Sequence, residues 1–186
     1  MALKSTIFKA AIAVADIDRG YYADHPLTLA RHPSETDERM MVRLAALALN
    51  AHALHTVCGG DGTLAFGAGL YDPNDPDVFL RDFTGQTRLW IEVGQPEDKP
   101  VAKACGKADQ VHVYCFANGA ELWWRAIENK LARLQNLSVY RVPTATSREL
   151  ATLAQRSMQL QATIQEGTLT LSDGAQSIDV DFLRWK

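Results

Sequence analysis

Two acidic side chains accompany a short strand pattern in the middle of the chain. Residues 88–93 read Arg-Leu-Trp-Ile-Glu-Val, with Asp82 shortly before this run and Glu92 inside it. A carboxylate within a buried strand costs free energy unless a cation, a hydrogen-bond donor or water compensates it. Glu38, near the start of a predicted helix, is a third acid that could reach the same point. Glu92 is therefore the first residue whose chemistry needs an explanation.

Three carboxylates from separate elements can together hold a hard divalent cation. Mg²⁺, and Mn²⁺ in its place, takes oxygen ligands in octahedral geometry. Such an ion can polarise a phosphodiester and generate hydroxide from bound water. A structural alternative stays open, in which Asp82 caps a turn, Glu38 favours its helix start and Glu92 pairs with a helix lysine or arginine. The spacing of the acids does not decide between these two interpretations.

Histidine, serine and cysteine chemistry has less support in the sequence. His52 and His55 lie three residues apart near a predicted helix end, but no further ligand completes a zinc site by spacing. No Gly-x-Ser-x-Gly segment is present, and the glycines of residues 59–62 match neither phosphate-loop fingerprint. The odd number of cysteines, without metal-ligand spacing, is typical of reduced thiols; these are Cys58, Cys105 and Cys115. An acid-based site is the better candidate.

Length and charge limit the kinds of protein this chain can be. Its 186 residues are enough for one domain with a sizeable core, which we expect to span residues 1–186. The net charge of −3 gives no overall attraction to nucleic acid, so DNA or RNA binding requires a local basic patch. A basic stretch follows Glu92 and contains Lys99, Lys103 and Lys107. No apolar run approaches the length of a membrane span, so we expect no membrane partner. The reduced thiols favour a cytoplasmic location.

The elements that would position these residues form an α/β pattern. Ser34 is a predicted N-cap for a helix over residues 35–53, and Pro26 predicts an edge position or an irregularity for the second strand. The alternation in the middle of the chain predicts a partly parallel sheet with helices on its faces. Strand patterns cover residues 6–16, 21–31, 63–67, 78–81, 89–93, 111–116, 137–142, 160–165, 168–171 and 177–182, and further helical patterns cover 100–108, 120–134 and 147–156.

Three segments of the chain, residues 27–36, 89–96 and 160–165, resemble the YaeQ family of bacterial proteins. The similarity covers essentially the whole chain. It implies the restriction-endonuclease-like α/β fold of the PD-(D/E)XK superfamily, which is a mixed sheet flanked by helices. An N-terminal β-hairpin and C-terminal antiparallel strands would be added to that core.

The resemblance also implies a site and a function. Asp82 would be the motif aspartate and Glu92 the acid on the next strand, both as ligands of Mg²⁺ or Mn²⁺, and Glu38 would be an auxiliary acid. The implied function is a divalent-metal-dependent nuclease acting on DNA or RNA phosphodiesters. The alternative is a non-catalytic nucleic-acid- or protein-binding module that retains the nuclease fold.

The lysine of the nuclease motif is missing from this chain. Gly94 stands two residues after Glu92, where the motif has its lysine. Gln95 could supply a polar group there, or a lysine of the following helix could reach back, for which Lys103 is preferred to Lys107. Gln95 and Lys103 are therefore predicted to position water or phosphate.

Overall fold

The computed structural model describes residues 5–72 and 74–186, in which eleven strands and five α-helices are found. The strands are β1 (Thr6–Asp16), β2 (Tyr21–Arg31), β3 (Gly62–Phe66), β4 (Val78–Asp82), β5 (Thr87–Val93), β6 (Ala108–Cys115), β7 (Leu137–Arg141), β8 (Ser157–Gln165), β9 (Thr168–Ser172), β10 (Ser177–Val180) and β11 (Leu183–Arg184). The helices are α1 (Asp37–Asn50), α2 (Ala53–Thr56), α3 (Asp98–Cys105), α4 (Ala120–Leu131) and α5 (Thr144–Ala151). The expected mixed α/β architecture, with an N-terminal hairpin, is confirmed.

The two ends of the chain share one five-stranded sheet, with the strand order β10-β9-β8-β1-β2. β1 pairs with β2 as an antiparallel hairpin and with β8 in parallel. Alternate residues of β1 and β8 are buried, because successive side chains of a strand point to opposite faces. β2 lies at the sheet edge, as Pro26 predicts. The predicted hairpin and meander are thus not separate additions, because β1 and β8 join them.

The middle of the chain forms a six-stranded sheet, with the order β11-β7-β6-β5-β4-β3. β5, β6 and β7 are parallel, and β3 and β4 extend the sheet antiparallel to β5. α3 and α4 connect the parallel strands and cover one face, where Val101, Ile127 and Leu131 pack against β6. Parallel neighbours bring the carboxyl ends of β5 and β6 to one edge of the sheet.

Helix α1 packs in the core that joins the two sheets. Its residues from Met40 to Ala48 are all buried, and all of them except Arg43 share one hydrophobic core with Leu160 of β8 and Ile91 of β5. A helix with so few polar positions is stable only when neighbouring elements cover it. Its N-cap is Thr36, whose side chain accepts from the backbone of Arg39, in place of the predicted Ser34.

We expect a Leu44→Ala substitution to lower the free energy of unfolding by about 3 kcal/mol, because it leaves a cavity in the core around α1. Leu44 is fully buried. Leu122→Ala on α4 is the matched control, because that side chain is 72% exposed and its loss costs less than about 0.5 kcal/mol. Urea unfolding of both variants measures the difference, and equal losses would contradict the central position of α1.

Candidate functional site

Asp77 lies where β4 begins beside the carboxyl end of β5. Its backbone N–H donates to the Ile91 carbonyl at 3.0 Å, which continues the antiparallel β4–β5 ladder by one residue. Its carboxylate accepts from the backbone N–H of Val93 at 2.7 Å. The side chain has no solvent exposure. The pairing of the two strands therefore fixes Asp77 next to the residues that follow Ile91.

Arg39 of α1 neutralises Asp77. Its Nη2 lies 2.7 Å from both carboxylate oxygens of Asp77 and 3.1 Å from the Val93 carbonyl. Burial alone would lower the pKa of Arg39, but attraction to Asp77 and Glu35 raises it above the usual value. An arginine stays protonated in proteins in any case, so Arg39 is a permanent cation at this point.

Glu35 extends this contact into a buried ion network of Glu35, Arg39, Arg43 and Asp77. Arg39 Nη1 donates to Glu35 Oε1 at 2.8 Å, and Arg43 Nη2 donates to Glu35 Oε2 at 2.8 Å. Glu35, Arg43 and Asp77 are buried, and the network holds two negative and two positive charges. It therefore compensates its own charge and joins the start of α1 to β4 and β5.

Glu92 is close to this network but outside it. Trp90, two residues earlier and so on the same face of β5, donates its indole N–H to Glu92 Oε1 at 2.6 Å. Burial, followed by repulsion from Asp77, raises the pKa of Glu92 to about 7, while the hydrogen bond from Trp90 opposes the shift. Glu92 therefore exchanges its proton near neutral pH.

These groups border an open hollow of about 480 Å³ at the carboxyl end of β5, which we call the acidic hollow. Four acids and one arginine are among the residues that line it. The lining residues are Arg39, Gly69, Leu70, Asp75, Asp77, Glu92, Val93, Gly94, Gln95, Pro96, Glu97 and Pro100. The arrangement concentrates titratable oxygen groups at one edge of the sheet.

Comparison with known proteins gives the family. The family model described as "YaeQ protein" matches residues 1–182. The chain belongs to the YaeQ family. Relatives described as "Uncharacterized protein YaeQ" from Salmonella typhi and Escherichia coli (strain K12) are each 40% identical over 187 residues, covering 100% of this chain and 98% of the relative.

Two solved structures of YaeQ proteins have the same fold. The crystal structure of the protein from Xanthomonas axonopodis pv. citri superposes with a TM-score of 0.88 at 38% identity and covers 98% of both chains. That from Pseudomonas syringae also gives 0.88, at 29% identity, over 98% of this chain and 96% of the other. Within the described residues, no helix is long and apolar enough to cross a membrane.

The predicted pairing of Asp82 with Glu92 is wrong. Asp82 lies at the other end of β4, where its carboxylate accepts from Thr84, Gln86 and Arg88 at 2.6 to 3.0 Å. Its neighbour Arg81 pairs with Thr87, five residues from Glu92 or roughly 17 Å along the strand. The two acids are too far apart to bind one ion, and Asp82 caps a turn as the structural alternative holds.

The other predicted site residues separate into one that lines the acidic hollow and two that do not. Gln95 lines it, with its amide nitrogen donating to the Phe116 carbonyl at 3.2 Å. Glu38 instead accepts from the Ser147 hydroxyl at 2.6 Å and joins α1 to α5. Lys103 donates to the Asn74 side chain at 2.6 Å and is not among the lining residues.

Sequence reasoning missed Asp77 and the arginine that neutralises it. One signal was present, because Pro76-Asp77 stands fifteen residues before Glu92 and directly before a strand pattern. The prolines and acids of residues 72–77 are equally typical of a loop, so this signal alone does not single out Asp77. Nothing local pairs Arg39 with Asp77, which are 38 residues apart.

The acidic hollow contains oxygen atoms that could be ligands of Mg²⁺, but the position between them is occupied. Asp77, Glu92 and the Val93 carbonyl are of the type that Mg²⁺ prefers. However, Arg39 Nη2 already contacts both oxygens of Asp77 and that carbonyl. Within residues 5–72 and 74–186, no group of three or more histidine, cysteine, aspartate or glutamate side chains has the spacing of a metal site. The residues do not fit a divalent cation while Arg39 holds this position.

We expect Arg39→Leu to lower the free energy of unfolding by about 3 kcal/mol or more, because Asp77 is left buried without its cation. Adding Asp77→Asn recovers part of this loss, since the uncompensated charge is removed. Arg81→Leu is the control, because its ion pair with Asp75 is partly exposed and is worth less than about 1 kcal/mol. Urea unfolding is measured for five proteins, namely wild type, Arg39→Leu, Asp77→Asn, the double variant and Arg81→Leu. A strictly additive double variant would show that the two side chains are not coupled.

The raised pKa of Glu92 predicts a pH-dependent effect of Glu92→Gln. In the folded protein Glu92 keeps its proton up to about pH 7, whereas the value without the protein environment is 4.5. Its ionisation therefore destabilises the fold increasingly from pH 5 to pH 8, by an amount on the order of 2 kcal/mol. Glu92→Gln should gain stability relative to wild type over this interval. A difference that stays constant between pH 5 and pH 8 in urea unfolding would exclude the shifted pKa.

Proposed function

We propose that this YaeQ-family protein is a non-cleaving nucleic-acid-binding module that retains a restriction-endonuclease-like fold. The order Pro76-Asp77, then Glu92 on the adjacent strand, supports the relation to that fold. The observation that carries the proposal is the position of Arg39 Nη2, 2.7 Å from both Asp77 oxygens. A protein cation thus stands where a nuclease would bind its metal.

Two terms oppose metal-dependent cleavage in this hollow. A divalent ion at Asp77 would have to displace Arg39, which is also bound to Glu35 and to the Val93 carbonyl. Breaking one partner out of a buried ion pair costs about 3–5 kcal/mol. In addition, Gly94 occupies the position of the motif lysine, and no lysine is among the residues that line the hollow. The metal position is therefore occupied by Arg39, and the lysine that would activate water is missing.

A row of three lysines beside the hollow supports contact with phosphate groups. Lys99 and Lys103 lie one helical turn apart on the same face of α3, and Lys107 follows in the turn after the helix. All three are exposed, and among the described residues none has an acidic side chain within ion-pair distance. Asn74 contacts Lys103 and Lys107. This lysine row is the local basic patch that a chain of net charge −3 needs for binding a polyanion.

Binding of labelled single-stranded and duplex oligonucleotides, followed by fluorescence anisotropy over a series of salt concentrations, tests the proposal. We expect weak, salt-sensitive binding without sequence preference. Replacing all three lysines of the row with glutamine should reduce the slope of log K against log salt by about 2 to 3. The matched control replaces three other exposed cations with glutamine, namely Arg125, Lys130 and Arg133 on and just beyond α4. It should change the slope of log K against log salt less.

The same oligonucleotides, incubated with Mg²⁺ or Mn²⁺, should remain intact. Metal-dependent cleavage that is lost in Asp77→Asn and Glu92→Gln would overturn the proposal in favour of a nuclease. If neither oligonucleotide binds at low salt, or if the two triple variants bind equally, the lysine row does not contact nucleic acid and the proposal fails. A protein partner would then be the remaining interpretation of a binding module.

A further inference from the structure

A second cavity of about 340 Å³ lies between the two sheets, and its lining shares no residue with the acidic hollow. The end of α1 and the start of α2 form one side of it, and β6 and β7 form another. The turns that follow β1 and β8 contribute Arg19 and Gly167. We call this space the inter-sheet cavity. Its volume is at the lower end of the range for ligand pockets, roughly 300–1,000 Å³.

The hydrogen bonds of Asn50 determine where His112 carries its proton. The Asn50 amide nitrogen donates to the Ala46 carbonyl at 2.7 Å and to the Tyr114 hydroxyl at 2.8 Å. Because a carbonyl can only accept, the nitrogen end of the amide must face Ala46. The Asn50 oxygen, 3.0 Å from His112 Nδ1, can only accept as well. His112 therefore carries its hydrogen on Nδ1.

His112 consequently offers an unprotonated nitrogen. Burial lowers the pKa of His112 to about 4, and the charges of Arg184 and His52 act in the same direction. The ring is thus neutral near pH 7, and a neutral imidazole with hydrogen on Nδ1 has a bare acceptor at Nε2. No side chain or backbone group of the described residues donates to Nε2, and His112 lines the cavity.

A cationic group also lines this cavity. Arg19 donates through Nη1 to the buried Asp16 at 3.0 Å, and its side chain is 43% exposed. Asp16 thus holds the guanidinium of Arg19 in position, and the other N–H groups of that guanidinium remain able to donate. His52, which lies 3.6 Å from Asp16 and contacts the Leu49 carbonyl, is a further polar group of this wall. The rings of Tyr140 and Phe182 add aromatic surface to the lining, and both pack against Tyr114, with ring centroids 5.0 and 5.3 Å apart.

We propose that the inter-sheet cavity binds a mononucleotide. A ring N–H or amino group of the base donates to His112 Nε2, and Tyr140 and Phe182 cover the base. The phosphate is bound by the free N–H groups of Arg19. This site is independent of the lysine row, because none of its residues is shared with α3.

Isothermal titration calorimetry with AMP, GMP, CMP and UMP, each alone, tests this inference. We expect at least one of them to bind the wild-type protein. His112→Phe, which keeps a ring but removes the acceptor, should weaken binding roughly tenfold, whereas His25→Phe on β2 should not. Arg19→Gln should weaken binding of the nucleotide but leave binding of the matching nucleoside, which has no phosphate, unchanged. The triple glutamine variant of the lysine row should bind the nucleotide as wild type does, which separates this site from the proposed function.

Nitrogen NMR of His112 in the wild-type protein gives a second measurement that does not depend on how the variants fold. The free protein should show a neutral ring with hydrogen on Nδ1, and the Nε2 resonance should shift when the nucleotide is added. Absence of binding at millimolar nucleotide would overturn the inference. So would binding that leaves the Nε2 resonance unchanged, or affinity that is equal in wild type and His112→Phe.

Discussion

The contact between Arg39 and Asp77 is the interaction on which the site depends. It joins the first turn of α1 to the start of β4 and, through the Val93 carbonyl and N–H, to the end of β5. Because Asp77 is buried and the Arg39 side chain is only 15% exposed, removing either charge leaves the other poorly compensated. Glu35 and Arg43 add one negative and one positive charge, so the network of four stays neutral. The network therefore joins the start of α1 to the edge of the six-stranded sheet where the acids converge.

This contact limits the chemistry that the acids at the end of β5 can support. Membership of the YaeQ family and the two-sheet fold are established by the comparisons and the coordinates. Asp77 directly precedes β4 and Glu92 lies on the adjacent β5, the cation beside Asp77 is a guanidinium, and Gly94 stands two residues after Glu92. Burial raises the pKa of Glu92, whose carboxylate accepts from the indole N–H of Trp90. The proposed binding function, which needs surfaces and cavities but no activated water, is compatible with this arrangement.

Local patterns in the sequence predict the elements well, and their partners poorly. β1 and β2 have the predicted bounds, because alternation and turn residues are local signals. The parallel pairing of β1 with β8 joins residues about 150 positions apart and leaves no local trace. β11, only two residues long, is too short to have a pattern. Asp77 and Asp82 flank the same short strand, and only the antiparallel pairing with β5 decides which of them lies beside Glu92.

Titration of paramagnetic Mn²⁺, with the indole N–H resonance of Trp90 as the probe, tests the central claim most directly. The indole nitrogen of Trp90 lies 2.6 Å from Oε1 of Glu92. An Mn²⁺ ion bound in the acidic hollow would therefore broaden the Trp90 indole N–H signal strongly. If Arg39 holds the cation position, Trp90 should broaden no more than Trp185, which lies outside the hollow. Selective broadening of Trp90 at low Mn²⁺ concentration, lost in Asp77→Asn, would contradict the account.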